Sequence, residues 1–423
     1  AQGWLQLGLI RDGKGEEDLA LECFEQARKA DPTLAAAHYN CGVIEYRKGD
    51  LAAAVASNRA AIALEHAPVL AWSNLGIALE ASGDSKAAHA AHDDAIEKAP
   101  NDASAYWNKA LLHLRCGEYQ QGWPFYEWRW AAGKAGVPAR HYPGRPLWLG
   151  GTPIAGRRIL LTPEQGLGDI IQFARFAPLV TAQGGRVILE VFTPLQRLFA
   201  NMAGVETVVG SGEPLPSFDA HCPLLSVPLA LGITTETLPR DIPYVRPDPA
   251  LVENWRKRLG PCSRPRIGFV WKGNSKFPGN AARSVPLAQF ATLFAPDAEF
   301  ICLQKEVTQA EEKLLAGYDN VRQIGASLED FADTAAVLAL CDFALVTDTG
   351  VAHLAGAMGK PGLILLSAHP DWRWCHEDPQ TGWYPTLWPL RQHTPNQWDR
   401  ALKTAHRALQ ELVTPTGTDT PSV

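Results

Sequence analysis

His38-Tyr39-Asn40-Cys41-Gly42 and Trp72-Ser73-Asn74-Leu75-Gly76 stand 34 residues apart, and Trp4-Leu5-Gln6-Leu7-Gly8 precedes the first by the same interval. Outward from each, small residues keep step: Ala20, Ala54 and Ala88, then Ala27, Ala61 and Ala95, with Pro32 and Pro100 closing the first and third units. A fixed period of this length is the mark of a stacked helix–turn–helix repeat. The glycines let the two helices of a unit touch, and the alanines leave room for the next unit. Each unit buries its apolar face only against a neighbour.

This is the tetratricopeptide-repeat (TPR) pattern, expected over residues 1–136 as three good units and one degenerate one. The fourth unit starts near Ala103 and drifts to bulky residues, Trp123, Tyr126, Trp128 and Trp130, which read as a terminal cap docking onto the next domain. Asn40, Asn74 and Asn108 fall at one repeat position. They are expected to form a ladder along the concave groove, where an amide can donate to and accept from an extended polypeptide. The plainer alternative is that Asn is simply common there.

Residues 137–150 are rich in Gly, Pro and Ala and read as a linker. Short β-rich runs then alternate with helical stretches, the signature of a parallel sheet covered on both faces. Ile159–Thr162, Val187–Val191 and Thr207–Val209 are the expected strands of a first Rossmann-like domain, residues 151–240, with a helix over Asp169–Ala182. After a Pro-rich break from Pro239 to Pro265, the alternation restarts at Ile267–Trp271. Phe300–Leu303, Val321–Ile324, Phe343–Val346 and Leu363–Leu366 continue a second such domain, residues 264–395. An amphipathic helix is expected over 396–413 and a disordered tail over 414–423. The fold class expected is thus a helical solenoid followed by a pair of α/β domains.

Composition narrows the function classes. The 423 residues are 46% hydrophobic and 20% charged, as in a folded globular chain, and carry a formal net charge of −6. That balance argues against nucleic acid as a partner, since it cannot neutralise phosphates in bulk. No apolar run reaches the roughly 18–20 residues that span a bilayer. The start, Ala1-Gln2-Gly3-Trp4, has no signal-peptide pattern and no initiator Met, which fits a piece of a longer chain. The eight cysteines are dispersed without a C-x-x-C pair. They read as buried hydrophobes in a reducing compartment, so a cytoplasmic protein without structural metal is expected. Oligomeric state is not legible.

In an open parallel sheet, ligands bind outside the strand C-termini. The chemistry is therefore sought after Thr162, Trp271, Gln304 and Thr347. Pro163-Glu164-Gln165-Gly166-Leu167-Gly168-Asp169 joins a strand to a helix, with Gln165, Gly166 and Gly168 able to bring backbone close to a ligand. On the residues alone, Asp169 reads more readily as a first-turn carboxylate of that helix than as a catalytic group. Asp348-Thr349-Gly350, with His353 one turn on, opens a helix lined by Ala352, Ala355, Gly356 and Ala357. Its amides and the Thr349 hydroxyl suit a diphosphate without metal, and its small residues permit close approach. The rival is a well-capped helix with a buried histidine. Lys272 and Asn274, with Arg283 and Ser284 downstream, offer a cation for phosphate or merely a solvated loop. Asp371-Trp372-Arg373-Trp374 and Trp383-Tyr384 form either a base-stacking wall or a plug between domains. No two aspartates are separated by a single residue, so the metal clamp of metal-dependent sugar transferases is missing.

With those residues in view, the chain resembles bacterial TPR-containing glycosyltransferase-like proteins of the GT-B fold. Its second half is similar to ADP-heptose:lipopolysaccharide heptosyltransferases, and its overall plan to O-GlcNAc transferases. The matching segments include Pro163–Asp169, Phe218–Leu224, Trp271–Asn274, Phe331–Ala335 and Asp348–Pro361. The resemblance implies that Asp169 is the general base, that Asp348, Thr349, Gly350 and His353 bind the donor diphosphate, and that Lys272 contacts phosphate. Relatives often carry a small residue in place of Lys272 and an Asn-Asp pair where this chain has Gly279-Asn280-Ala281.

The expected function is metal-independent, inverting transfer of a sugar from a nucleotide-diphosphate donor, with no cofactor, to a hydroxyl on a polypeptide held by the TPR groove. The alternatives are a TPR interaction scaffold with an inactive GT-B module, and transfer to a lipid or polysaccharide. Donor base, sugar and acceptor are not legible.

Overall fold

The computed structural model describes residues 1–275, 279–375 and 382–413, and the chain divides after Lys134 into two compact units. The first is four helix pairs: α1 (Gln2–Gly13) with α2 (Glu17–Ala30), α3 (Ala35–Lys48) with α4 (Leu51–Ile62), α5 (Leu70–Ala81) with α6 (Ser85–Lys98), and α7 (Ala103–Arg115) with α8 (Tyr119–Tyr126). A Cβ on Gly8, Gly42 or Gly76 would run into Phe24, Asn58 or His92 of the paired helix. Those partners are themselves 34 residues apart, so one repeated contact sets the helix spacing in three pairs. Ala20, Ala54 and Ala88 are fully buried at the seams. Asp50 and Asp84 cap α4 and α6 by accepting from Ala53 and Ala87 N–H, each at 3.0 Å. In the fourth pair Ala110 and Tyr126 take the places of glycine and partner, and Tyr106 stacks on Trp128 at 4.0 Å.

The second unit carries two parallel sheets. The first lobe holds β1 (Arg158–Thr162), β2 (Arg186–Val191), β3 (Thr207–Gly210) and β4 (Ala220–Pro223), in the order β3-β2-β1-β4. The second lobe holds β5 (Arg266–Phe269), β6 (Glu299–Cys302), β7 (Val321–Gln323), β8 (Phe343–Thr347), β9 (Gly362–Leu366) and β10 (Leu387–Arg391), in the order β10-β9-β8-β5-β6-β7. Both sheets reverse their strand order beside their first strand. The loops after β1, β5 and β8 therefore sit where open parallel sheets bind ligands.

Four features depart from the sequence expectation. β4 and β10 are additional strands: Ala220-His221-Cys222-Pro223 has no β-branched run, and Pro389 interrupts the second. Proline is tolerated there because β10 is an edge strand. The end of the linker also pairs with the first sheet, Trp148 N–H donating to His221 O at 2.8 Å. The Pro-rich stretch from Pro239 to Pro265 is not only a break, because Pro249–Leu259 is a helix with Pro249 in its first turn. Asp248 caps it through Ala250 N–H at 2.7 Å. Proline at that position starts helices rather than ending them. The helix expected over Asp169–Ala182 begins earlier, as α9 (Leu167–Phe173), and tightens to a 3-10 turn at Ala174–Phe176. Pro178 lacks the N–H that would close the α turn there.

The second lobe's core gathers Ile267, Phe269, Phe290, Phe294, Phe300 and Leu345, with Ala401, Leu402, Ala405 and Leu409 of the final helix (Asp399–Val413) laid against it. The tail expected over 414–423 lies outside the described residues. Among those described, no helix is long and apolar enough to cross a membrane.

Candidate functional site

The two strand-to-helix loops singled out in the sequence meet. α9 starts after β1 with Gly166 as its N-cap. The preceding Gln165 holds a φ of +58°, its N–H bonded to Ala135 O at 2.8 Å. A non-glycine residue in that left-handed region costs about 1–3 kcal/mol and persists where its surroundings enforce it. Gly168 lies against the second lobe: a Cβ there would stand 2.5 Å from His353 Cδ2 and 3.4 Å from Gly350 Cα. The start of α9 thus abuts the start of the Gly350–Ala357 helix, which follows β8.

Asp169 is fixed from both sides. Its Oδ2 accepts from Gly166 N–H at 2.8 Å, and its Oδ1 accepts from Arg373 Nη2 at 2.6 Å. Arg373 belongs to the short turn Trp372–Trp374 of the second lobe and is 7% exposed. Its Nε donates to Gln172 Oε1 at 2.6 Å and its Nη1 to Asp371 Oδ1 at 2.8 Å. Burial raises the Asp169 carboxyl above the usual carboxylate range, and the Arg373 charge opposes it. A second arginine joins the lobes: buried Arg175 donates through Nη1 to Trp383 O at 2.9 Å and through Nη2 to the Tyr244 hydroxyl at 3.1 Å. Its guanidinium also lies over the Tyr244 and Tyr384 rings, at 4.7 and 4.8 Å.

Asp348 accepts from Trp374 Nε1 at 2.9 Å. Burial, then the neighbouring Asp371 charge, pushes its carboxyl up to about 6, with Arg283 and Arg373 pulling the other way. Thr349 caps the Gly350–Ala357 helix by position alone: its side chain makes no cap bond, and its hydroxyl is sealed from solvent without a partner. His353 is buried, its Nδ1 3.0 Å from the Tyr384 hydroxyl and its ring 5.2 Å from Trp374. Burial, reinforced by Arg373, Arg175 and Arg283, holds it well below the ordinary histidine range, so it is neutral at physiological pH.

One expectation needs correcting. The small-residue face of that helix does not stand open to a ligand, because a Cβ on Gly356 would overlap the Tyr384 ring. Of the two readings left open for the aromatics of 372–374 and 383–384, the packing matches the plug: Trp383 lies 5.9 Å from Phe173 and 5.6 Å from Trp372, ring to ring, and Trp372, Trp374, Trp383 and Tyr384 are all buried. His376, from the same stretch, lies outside the described residues.

Of the residues predicted as a site, Gly166, Gly168, Asp169, Asp348, Thr349, Gly350 and His353 converge, with Arg283 close enough to act on Asp348 and His353. Lys272 is elsewhere engaged, donating to both Glu311 oxygens at 2.8 and 2.6 Å beside the Trp271 indole, which bonds the same carboxylate at 3.1 Å. Asn274 is exposed, and Ser284 Oγ donates to Asn280 O at 2.6 Å. The asparagine ladder lies in the first unit, and two of its amides already have partners. Asn40 Nδ2 donates to Ala36 O at 2.7 Å, and the Asn74 side chain bonds the Tyr39 hydroxyl. Asn108 is half-buried.

Sequence reasoning missed Arg175 and Gln172, and it placed Arg373 in an aromatic stretch without its role as the partner of Asp169. The one available signal was an arginine set among four aromatics and an aspartate.

Comparison with known proteins follows the same division. The tetratricopeptide-repeat family matches residues 5–68 and 73–122. Protein FlbA of Caulobacter vibrioides is 27% identical, over 96% of this chain and 78% of its own length. Among solved structures, the crystal structure of MamA is 24% identical, covering 31% of this chain and 77% of its own, with a TM-score of 0.29. Escherichia coli ADP-heptose lipopolysaccharide heptosyltransferase II is 14% identical, covering 60% of this chain and 98% of its own, with a TM-score of 0.46. The fold is thus an N-terminal helical solenoid of TPR repeats followed by two parallel-sheet α/β lobes.

Proposed function

We propose that the α/β unit is a glycosyltransferase module that moves a sugar from a nucleotide-diphosphate donor to an acceptor hydroxyl, with inversion and without metal. The observation that carries this reading is the meeting of two helix starts at the strand-order reversals of both lobes, with Asp169 and Asp348 set among Arg373 and Arg283. Clustered carboxylates with raised pKa values in such a place mark a candidate reaction centre.

In the proposed reaction the donor diphosphate lies against the first amides of the Gly350–Ala357 helix, assisted by Arg283. Asp169 takes the proton of the acceptor hydroxyl as its oxygen bonds the anomeric carbon. The carbon–oxygen bond to the diphosphate breaks, and the nucleotide diphosphate leaves with the electron pair. Base assistance contributes about 10²–10⁴-fold, and preorganised charge stabilisation of the leaving group adds to it. Gly168 seals against His353 in this conformation, so the donor enters when the lobes part. Lys272 contacts phosphate only by exchanging it for Glu311. The acceptor is a polypeptide held by the TPR unit, the plan of the O-GlcNAc transferases, in a cytoplasmic setting.

The test is calorimetry with a panel of nucleotide-diphosphate sugars in EDTA, followed by assay of nucleotide diphosphate release. One donor should bind and turn over without metal; loss of turnover in EDTA, or no binding at all, overturns the reading. A second reading is favoured by a specific observation: Asp169, Lys272 and His353 each already hold protein partners. In that case the chain is a TPR scaffold with a silent GT-B module, and a donor binds without being cleaved.

A further inference from the structure

We propose that His89, His113 and Glu118 form a binding site for one divalent transition metal ion of the zinc class, at the seam between the third and fourth helix pairs. His89 lies on α6, His113 on α7, and Glu118 immediately before α8, so the three come from two neighbouring pairs. One ligand atom from each lies within 4.8 Å of the others. His113 Nδ1 is 2.6 Å from Glu118 Oε2, and His89 Nε2 is 3.3 Å from the same oxygen. Ligand atoms around a tetrahedral zinc stand roughly 3.3 Å apart, given metal–ligand bonds of about 2.0–2.2 Å.

The pattern is not that of an ordinary hydrogen-bonded pair. His89 Nε2 is sealed from solvent and has no hydrogen-bond partner, although it faces a carboxylate oxygen. A buried polar atom without a partner beside two potential ligands is one that a bound cation would satisfy. The scaffold also holds the triad in place. Glu118 N–H bonds His113 O at 2.8 Å, the His113 ring stacks on Phe125 at 5.6 Å and 9°, and the two imidazoles lie 4.5 Å apart. His92, also on α6, is excluded by its packing against Gly76.

Two imidazoles and a carboxylate suit zinc, with copper, nickel and cobalt as competitors in the usual order of affinity. The Glu118 side chain is 43% exposed, which gives the ion a path and leaves room for a water ligand. This site is separate from the proposed sugar-transfer centre and supplies no step to it. Its role is to tie two helix pairs together, because an ion bound only by the folded chain stabilises that fold.

The test uses the full chain, stripped with EDTA, dialysed and titrated with Zn²⁺ against a chromophoric chelator, with melting followed in parallel. Wild type should take up one tight equivalent and melt higher with Zn²⁺. His89→Ala and the isosteric Glu118→Gln, each checked for native circular dichroism, should bind about 10-fold more weakly or worse and lose the shift. If the stripped chain takes up no tight equivalent, or both folded variants bind as well as wild type, the site is rejected. Nucleotide-sugar turnover stays unchanged in either case, so this result and that of the donor assay are separable.

Discussion

Arg373 of the second lobe holds the Asp169 carboxylate of the first through a single bond, Nη2 to Oδ1 at 2.6 Å. The side chains are 7% and 21% exposed, so this is a largely buried ion pair rather than a surface one. It joins the lobes and sets the state of the proposed base at once. Removing the guanidinium strands a carboxylate whose burial already favours the protonated form. Arg373→Ala should therefore cost about 3–5 kcal/mol at pH 7.5 in urea unfolding. The cost should shrink at pH 4, where the stranded group takes up a proton. A loss below about 1 kcal/mol at pH 7.5 would mean that the bond does not hold the lobes.

Gly168 has no space for a side chain, because His353 is wedged by Trp374 and Tyr384 and cannot retreat. Gly168→Ala should destabilise by about 1–3 kcal/mol, the range for overpacking a closed contact. It should also speed hydrogen exchange at the starts of both α9 and the Gly350–Ala357 helix. Unchanged exchange in both would show that these helices do not meet in solution.

Asp348 offers a pH test. Its carboxyl sits at about 6 in the folded chain, above the about 3.9 of an unfolded aspartate. The folded state thus binds this proton more tightly, a contribution fully present below about pH 4 and lost as pH rises through 6. Asp348→Asn, neutral throughout, should gain on wild type by on the order of 2–3 kcal/mol between pH 4 and pH 7.5. Its Oδ1 can still accept from Trp374. A melting-temperature difference that is flat or shrinks over that range would contradict the assignment.

Asn40 and Asn74 test the acceptor side. Both are half-buried and at equivalent repeat positions, but part of their hydrogen-bonding capacity is spent on Ala36 O and the Tyr39 hydroxyl. The Asn40→Ala/Asn74→Ala double variant should weaken polypeptide binding about 10-fold, since two lost hydrogen bonds of roughly 0.5–1.5 kcal/mol each reach that scale. Donor cleavage should not change. Unaltered transfer to a polypeptide would assign the ladder to the repeat's own packing.

The repeat was the most legible part of the chain because its spacing encodes one physical contact: Gly8, Gly42 and Gly76 each face a residue that recurs at the same period. The strands that were read early, such as Ile159–Thr162 and Phe343–Val346, are continuous apolar runs buried on both faces. β4 and β10 carry His221, Pro223 and Pro389, and only pairing with an existing strand makes them extended. Pro249 shows the reverse error, a helix start taken for a break. At the site, the loops were legible because glycines and helix starts are local features. The partners of Asp169, Lys272 and His353 were not, since Arg373, Glu311 and Tyr384 lie 204, 39 and 31 residues away in sequence. The His89–His113–Glu118 cluster was hidden for the same reason, its members being split between two repeats.

In the proposed reaction Asp169 takes up a proton during sugar transfer. The most direct measurement compares wild type with Asp169→Asn, by calorimetry for donor affinity and by single-turnover release of nucleotide diphosphate in the presence of acceptor and EDTA. Donor affinity is expected to stay within a few-fold of wild type while release slows by about 10²–10⁴-fold. Release at the wild-type rate by the Asn variant would contradict the proposed reaction.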